Sequence, residues 1–350
     1  MLFGCVARTN DERVADSRVW VYSIHMYMYE DNLLFRPHPL HQVCSALPLV
    51  TSRFPRTTMA TTRATTLEGG LSGARLRSAT GCTSEVYRHG AHVASWRDAE
   101  GEDIIFLSSR AVFKPPKAIR GGIPLCFPQF SDLGPLAQQH GFARNEQWQL
   151  VDPPANGDEN GGNVTFRLVS SDATKALWPH DFVADFAARL DGDEMHTSLT
   201  VRNTGREPFE FTVALHTYFT VGDIGKATVE GLRGASYLDS LDGRLAKVDE
   251  NDAVAFEGEV DRIYQNTNDV LTVIDEKNDR SIVVHKTNLP DAVVWNPWVE
   301  KCLKTGDLGD GDYKKFLCVE AAATSTPVVV RPGAEWTCGQ VLRVVKRPAK

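Results

Sequence analysis

A chain of 350 residues, 42% hydrophobic and 24% charged, is long enough to bury a large core, as one big β domain or two smaller ones. Its 45 acidic and 38 basic residues leave a formal charge of -7, which argues against nucleic acid as the main partner but allows a local basic pocket for a small anion. No apolar run reaches the roughly 18 residues of a membrane-spanning helix, and neither the seven Cys nor the ten His fall into C-x-x-C or H-E-x-x-H spacings. No membrane partner, metal site or disulfide scaffold is therefore expected, and the thiols read as reduced and partly buried.

Residues 1-70 differ in character from the remainder. From 32 to 66 there is no acidic residue, while Arg36, Arg53, Arg56 and Arg63 stand among Ser, Thr and Pro, a composition like that of an organelle-targeting segment. Asp11, Glu12, Asp16, Glu30 and Asp31 run against that reading at the front, and Met59 opens MATTRATT as an alternative start. Residues 1-70 are expected to form an N-terminal extension, disordered or targeting, and 71-350 the folded domain.

From about residue 81 the pattern turns to short strands. Residues 84–97 and 102–108 read as an early pair with a Gly-containing turn. Strands follow over 163–169, 181–190 and 194–203, the last two joined as a hairpin by Asp191-Gly192-Asp193. Further strands are expected over 207–221 and 227–238, a hairpin over 271–286, then 291–298, 314–322 and two closing strands within 327–345. No long stretch carries the i, i+3, i+4, i+7 apolar spacing of an amphipathic helix. The fold class is all-β, a sandwich of large antiparallel sheets with few short helices. There is no G-x-G-x-x-G, P-loop or internal repeat, so no nucleotide cofactor is supported.

The segment 117–145, KAIRGGIPLCFPQFSDLGPLAQQHGFARN, is neither helix nor strand by pattern. Gly and Pro break any regular ladder, yet Phe, Ile and Leu make it too apolar for a disordered linker. Long irregular segments inside folded domains are usually functional. Arg120, Gln139, His140 and Arg144 are its candidate site residues, and two Arg with Gly beside each suggest an anion site.

Two further candidates lie on strands. In EFTVALHTYF, Phe211, Val213 and Leu215 form a core face, leaving Thr212, Ala214, His216 and Tyr218 on the other. His216 taken alone is more often a half-buried residue satisfied by a neighbour. Glu320, inside KKFLCVEAAATS, is harder to set aside, because burying a carboxylate costs several kcal/mol unless it is paired or protonated. The alternative is a buried ion pair. A Glu and a His in one pocket can act as general base and general acid. Asp261 in DRIY reads locally as a solvated loop, and the two indoles of VVWNPW suit either a sugar face or core packing.

Taken in order, RGGIPLCFPQF, QHGFARN, ALHTYF, DRIY, VVWNPW and CVEAA resemble the motifs of the glucose-6-phosphate 1-epimerases, the hexose-6-phosphate mutarotases of the aldose 1-epimerase superfamily. The resemblance covers roughly residues 81 to 345. It implies a galactose-mutarotase-like β-supersandwich and an isomerase that interconverts the α and β anomers of D-glucose 6-phosphate without a cofactor. Residue by residue, it implies His216 as general acid and Glu320 as general base. It implies Arg120, Gln139 and Arg144 as substrate-binding, Asp261 as a partner of sugar hydroxyls, and His140 as a residue that orients the sugar. The expected partner is a hexose 6-phosphate, and the protein is expected to be a cytoplasmic monomer, with organelle targeting by the N-terminal extension as the alternative compartment. Competing readings are a mutarotase of non-phosphorylated aldoses and a non-catalytic carbohydrate-binding sandwich.

Overall fold

The computed structural model describes residues 60–151 and 162–346. The chain enters through β1 (Thr61–Thr66), β2 (Ser72–Arg77), β3 (Thr83–Tyr87) and β4 (His92–Arg97), a four-stranded sheet in sequence order. A long irregular segment, interrupted by β5 (Leu125–Cys126), leads to β6 (Gln149–Val151), β7 (Asn163–Val169), helix α1 (Asp172–Leu177), β8 (Phe182–Asp191) and β9 (Glu194–Asn203). Next come β10 (Phe209–Leu215), β11 (Tyr218–Thr220), β12 (Ala227–Glu230), β13 (Ser236–Asp239), β14 (Leu245–Val248), β15 (Ala253–Ala255) and β16 (Val260–Gln265). The chain closes through β17 (Val270–Asp275), β18 (Arg280–Thr287), β19 (Asp291–Asn296), helix α2 (Trp298–Lys304), β20 (Phe316–Val330) and β21 (Glu335–Lys346).

Two large antiparallel sheets carry most of these strands. One is nine-stranded, in the order β15-β12-β17-β18-β21-β9-β8-β7-β6. The other has eight strands, β14-β13-β16-β19-β20-β10-β5 with β11 paired to β20. Period-2 alternation builds the core between them: Phe182, Ala184, Phe186 and Ala188 of β8 and Leu199 and Val201 of β9 meet Phe211, Val213 and Leu215 of β10 and Leu317, Val319 and Ala321 of β20. The expected all-β sandwich is what forms. Among the described residues both α-helices are short, and no helix is long and apolar enough to cross a membrane.

The differences from the sequence expectation have local causes. β1 falls inside the stretch taken as an extension, and the rest of that stretch, up to residue 59, lies outside the described residues. TTRATT has no apolar alternation to read, because β1 is an edge strand that pairs only with β2. Residues 102–108 make single bridges to Arg97, Phe219 and Gly121 instead of a strand. The segment 227–238 divides between the sheets, β12 in one and β13 in the other. Asp261, read locally as a loop residue, stands on β16, opposite Trp295 of β19. The five described cysteines are free and buried, while Cys5 and Cys44 lie outside the described residues.

Gly141 holds the irregular segment in place. The N–H groups of Phe142 and Ala143 both donate to the Phe127 carbonyl at 3.1 Å, and a Cβ on Gly141 (φ +67°) would run into that same carbonyl oxygen. A left-handed backbone on a non-Gly residue costs about 1–3 kcal/mol before any clash. Gly141→Ala should therefore lower the urea midpoint by at least that equivalent; an unchanged midpoint would show that the segment gives way freely.

Candidate active site

The outward face of the eight-stranded sheet follows from strand parity. On β20, Leu317, Val319, Ala321 and Ala323 enter the main core, so Phe316, Cys318, Glu320 and Ala322 face the other side. Ile263 of β16, Val293 of β19 and Ala214 of β10 share that face, and Asp261 and Trp295 extend it. The irregular segment crosses above it, pinned where Phe130 N–H donates to Thr212 Oγ1 (2.8 Å). A cleft of about 390 Å³ remains between them, lined by Arg120, Gln139, His140, His216, Asp261 and Glu320.

His216 follows the last residue of β10, in the two-residue break before β11, and its backbone N–H donates to Pro124 O (3.0 Å). Its ring stacks on Tyr218 (centroids 4.8 Å apart, 9° between planes) and meets Trp295 at 90°. Its Nδ1 lies 3.3 Å from Glu320 Oε1, yet neither Nδ1 nor Glu320 Oε2 makes a hydrogen bond. Glu320 is only 1% exposed. Burial pushes its carboxyl well above the ordinary range; the charge of Asp261 adds to this and Arg144 opposes it. Burial pushes His216 well below its ordinary value, and His140, Arg144 and Arg120 push the same way. Both shifts favour the uncharged forms, a protonated carboxyl beside a neutral imidazole, over an ion pair. Passing that proton to the imidazole makes a carboxylate and an imidazolium. Either state presents one acid and one base to the cleft.

His140 takes a left-handed backbone (φ +65°), which turns its ring into the cleft. Ser131 N–H donates to its Nδ1 (3.3 Å), and Cys126 Sγ lies 3.2 Å from the same atom. Burial, with Arg144 and Arg120, lowers its pKa to about 3. It is therefore neutral with its proton on Nε2, a donor for a bound hydroxyl. Gln139 is exposed at the rim.

Arg120 and Arg144 part company in the structure. Arg120 donates from Nε to Asp307 (2.9 Å) and from Nη1 to the Tyr218 hydroxyl (3.2 Å). It forms the wall between the cleft and a second hollow of about 190 Å³, lined also by Lys117, Gln138, Arg144, Asn145, Tyr218 and Asp307. Arg144 lines that hollow and not the cleft; it donates to the Gln139 carbonyl (3.2 Å), while its Nε is buried without a partner.

The cations of the cleft itself are spoken for. Lys301 pairs with Glu259 (2.8 Å) and Asp261 (3.3 Å), and Arg244 with Asp132. In the hollow, three cations (Lys117, Arg120, Arg144) face one carboxylate, Asp307. Burial alone would raise that carboxyl, but Arg120 and Lys117 outweigh it and hold its pKa low.

Lys301, Tyr218, Asp307 and Lys117 escaped the sequence reading as site residues. Lys301 and Asp307 lie on and just after α2, with no local signal; Tyr218 was legible only as a face of its strand. The two indoles divide, with Trp295 on the cleft and Trp298 packed on Tyr313. A larger groove, about 780 Å³, crosses the nine-stranded sheet, but no carboxylate among the described residues lines it. No group of three or more His, Cys, Asp or Glu among them is arranged to hold a metal ion.

Residues 74–343 match the family model described as Aldose 1-epimerase. The chain belongs to the aldose 1-epimerase family. It is thus an isomerase of that family, and a curated relative from Cenchrus ciliaris, named "Putative glucose-6-phosphate 1-epimerase", is 44% identical over 76% of this chain and 83% of its own. A solved "putative mutarotase" from Salmonella typhimurium is 32% identical, with a TM-score of 0.73 over 81% of this chain and 93% of that one. A "galactose mutarotase related enzyme" from Lactobacillus acidophilus, 16% identical, shares the fold (TM-score 0.62; 81% of this chain, 97% of that one). The epimerase-family fold is galactose-mutarotase-like, as the motif order implied.

Buried neutral histidines make the fold acid-sensitive. His92 and His140 would take protons near 6.5 in the unfolded chain but resist them until about 3 when folded. Their contribution to stability is complete above about pH 6.5 and drains away as pH falls toward 3. Urea midpoints should thus drop steadily from pH 7 to pH 4, and a flat series would contradict the buried neutral state.

Proposed function

We propose that this chain interconverts the α and β anomers of D-glucose 6-phosphate by general acid–base ring opening. The observation that carries the reading is a buried carboxyl touching a buried imidazole on the cleft floor, one Arg away from a hollow with surplus positive charge. Relatives named for glucose-6-phosphate 1-epimerase activity support it.

In the reactive state the shared proton sits on His216. Glu320 takes the proton of the anomeric hydroxyl, His216 gives one to the ring oxygen, and the C1–O5 bond opens to the aldehyde. Opening leaves Glu320 protonated and His216 neutral, the forms that burial favours. The apolar floor thereby favours the open-chain stage. After rotation about C1–C2, the two groups reverse roles and the ring recloses from the other face. Asp261, His140 and Gln139 hold sugar hydroxyls, and Arg120 and Arg144 hold the phosphate and so fix the ring.

A mutarotase of free aldoses would leave the buried Nε of Arg144 and the net positive hollow without a partner. A phosphate ester brings close to two negative charges, which match three cations less one carboxylate. A binding-only sandwich has no use for a buried acid–base pair.

Glu320→Gln and His216→Asn should each slow anomer exchange by about 10²–10⁴-fold with the fold retained, measured by NMR on glucose 6-phosphate. Full activity in either variant would remove the acid–base assignment. Arg144→Ala should raise KM for the phosphorylated sugar about tenfold or more, as loss of a charged hydrogen bond implies, and affect galactose far less. Equal effects on both sugars would count against the phosphate hollow. At saturating substrate the acid limb of kcat should lie below pH 6.5, because His216 is depressed, and the alkaline limb well above 4.5, because Glu320 is raised. An acid limb at 6.5 or higher would rule out the neutral pair.

A further inference from the structure

Tyr218 opens β11, two residues beyond His216, and is 1% exposed. It touches both halves of the site. Its ring lies parallel to the His216 imidazole, 4.8 Å away, and its hydroxyl accepts a hydrogen bond from Arg120 Nη1 at 3.2 Å. Trp295, Phe316 and Phe106 close the remaining sides of the ring, with centroids 6.0, 5.2 and 6.5 Å away. A ring so enclosed does not tilt independently of its neighbours. Its backbone is fixed as well: Tyr218 N–H donates to Gly122 O, and Tyr218 O accepts from Phe106 N–H, both at 3.0 Å.

Arg120 is held between two acceptors, the Tyr218 hydroxyl and the Asp307 carboxylate, and stands between the cleft and the cationic hollow. An anion arriving in the hollow competes with Asp307 for the guanidinium. Any shift of Arg120 is then felt at the hydroxyl on its other side. From there the path to the imidazole is a single stacked contact.

We propose that Tyr218 is a positioning residue that couples occupation of the cationic hollow to the pose of the His216 imidazole, so that the substrate's phosphate raises turnover as well as affinity. This rests on the reading of the hollow as the phosphate subsite. It differs from a packing role in one respect: the hydroxyl, not only the ring, carries the effect. Glu320 meets the same imidazole at Nδ1, so a small change in ring pose alters both the 3.3 Å contact and the direction in which the imidazole presents its proton.

Tyr218→Phe keeps the ring and deletes the coupling. The ratio of kcat for glucose 6-phosphate to kcat for galactose should fall about tenfold, the loss expected when a hydrogen bond to a charged group is removed. A ratio equal to that of the wild type would overturn the proposal. A second readout needs no turnover: inorganic phosphate is titrated into ¹⁵N-histidine-labelled protein, with the His216 signal identified by its absence in His216→Asn. Phosphate should move the His216 resonance in the wild type, and Tyr218→Phe should bind phosphate with that movement largely lost. Binding without movement in the wild type, or full movement in the variant, defeats the coupling. Movement in a wild type that does not accelerate anomer exchange would leave the coupling standing and remove the proposed reaction. No phosphate binding at all would remove both.

Discussion

A buried carboxyl group is the constraint on which the site depends. Glu320 stands on the outward face of β20 because its neighbours Val319 and Ala321 are committed to the core between the sheets. Strand parity leaves it no other direction. Loops and the irregular segment then cover that face, so the residues from Phe316 to Thr324 are buried on both sides of the strand. An ionised carboxylate there would cost several kcal/mol unless well paired, and Glu320 Oε2 makes no hydrogen bond. The neutral form is the inexpensive one. The same surroundings favour a neutral His216, so two groups that would form a salt bridge at the surface are both pushed toward their uncharged forms.

Charge is apportioned with equal care around that pair. In the cleft, Lys301 and Arg244 are each matched by carboxylates. Across Arg120, in the hollow, the balance is deliberately uneven. Unmatched guanidinium in a partly closed space attracts an anion more strongly than a surface cluster, because less water screens it. The division suits the proposed substrate, with a charged phosphate at one end and a sugar ring at the other.

Much of the fold could be read in advance, and the exceptions share a cause. β7, β8, β9, β17 and β18 were legible because each has one face in the core and one in water, which writes alternation into the sequence. β1 escaped because an edge strand of Thr has neither face committed, and β16 because Asp261, Arg262 and Tyr264 serve pocket, surface and core within a few residues. In the site, Arg120, Gln139, His140, His216, Asp261 and Glu320 converge on one cleft, while Arg144 stands behind Arg120 in the adjoining hollow. Lys117, Lys301 and Asp307 carried no mark, since a charged side chain on a loop or short helix looks the same whether it faces solvent or a buried guanidinium, and Tyr218 showed only as part of a strand face.

The sequence by itself determined the strand periodicity, the two-sheet class and the chemical kinds at the site, because alternation, Gly and Pro punctuation and a carboxylate in an apolar run are local facts. Its motif order also pointed to the epimerase family. Only the tertiary structure decided which side chains meet: that His216 and Glu320, 104 positions apart, lie 3.3 Å from each other, and that Tyr218 lies between His216 and Arg120. Distances of that kind depend on sheet order and strand register. Those are settled by packing across the whole core and leave no trace in any one segment.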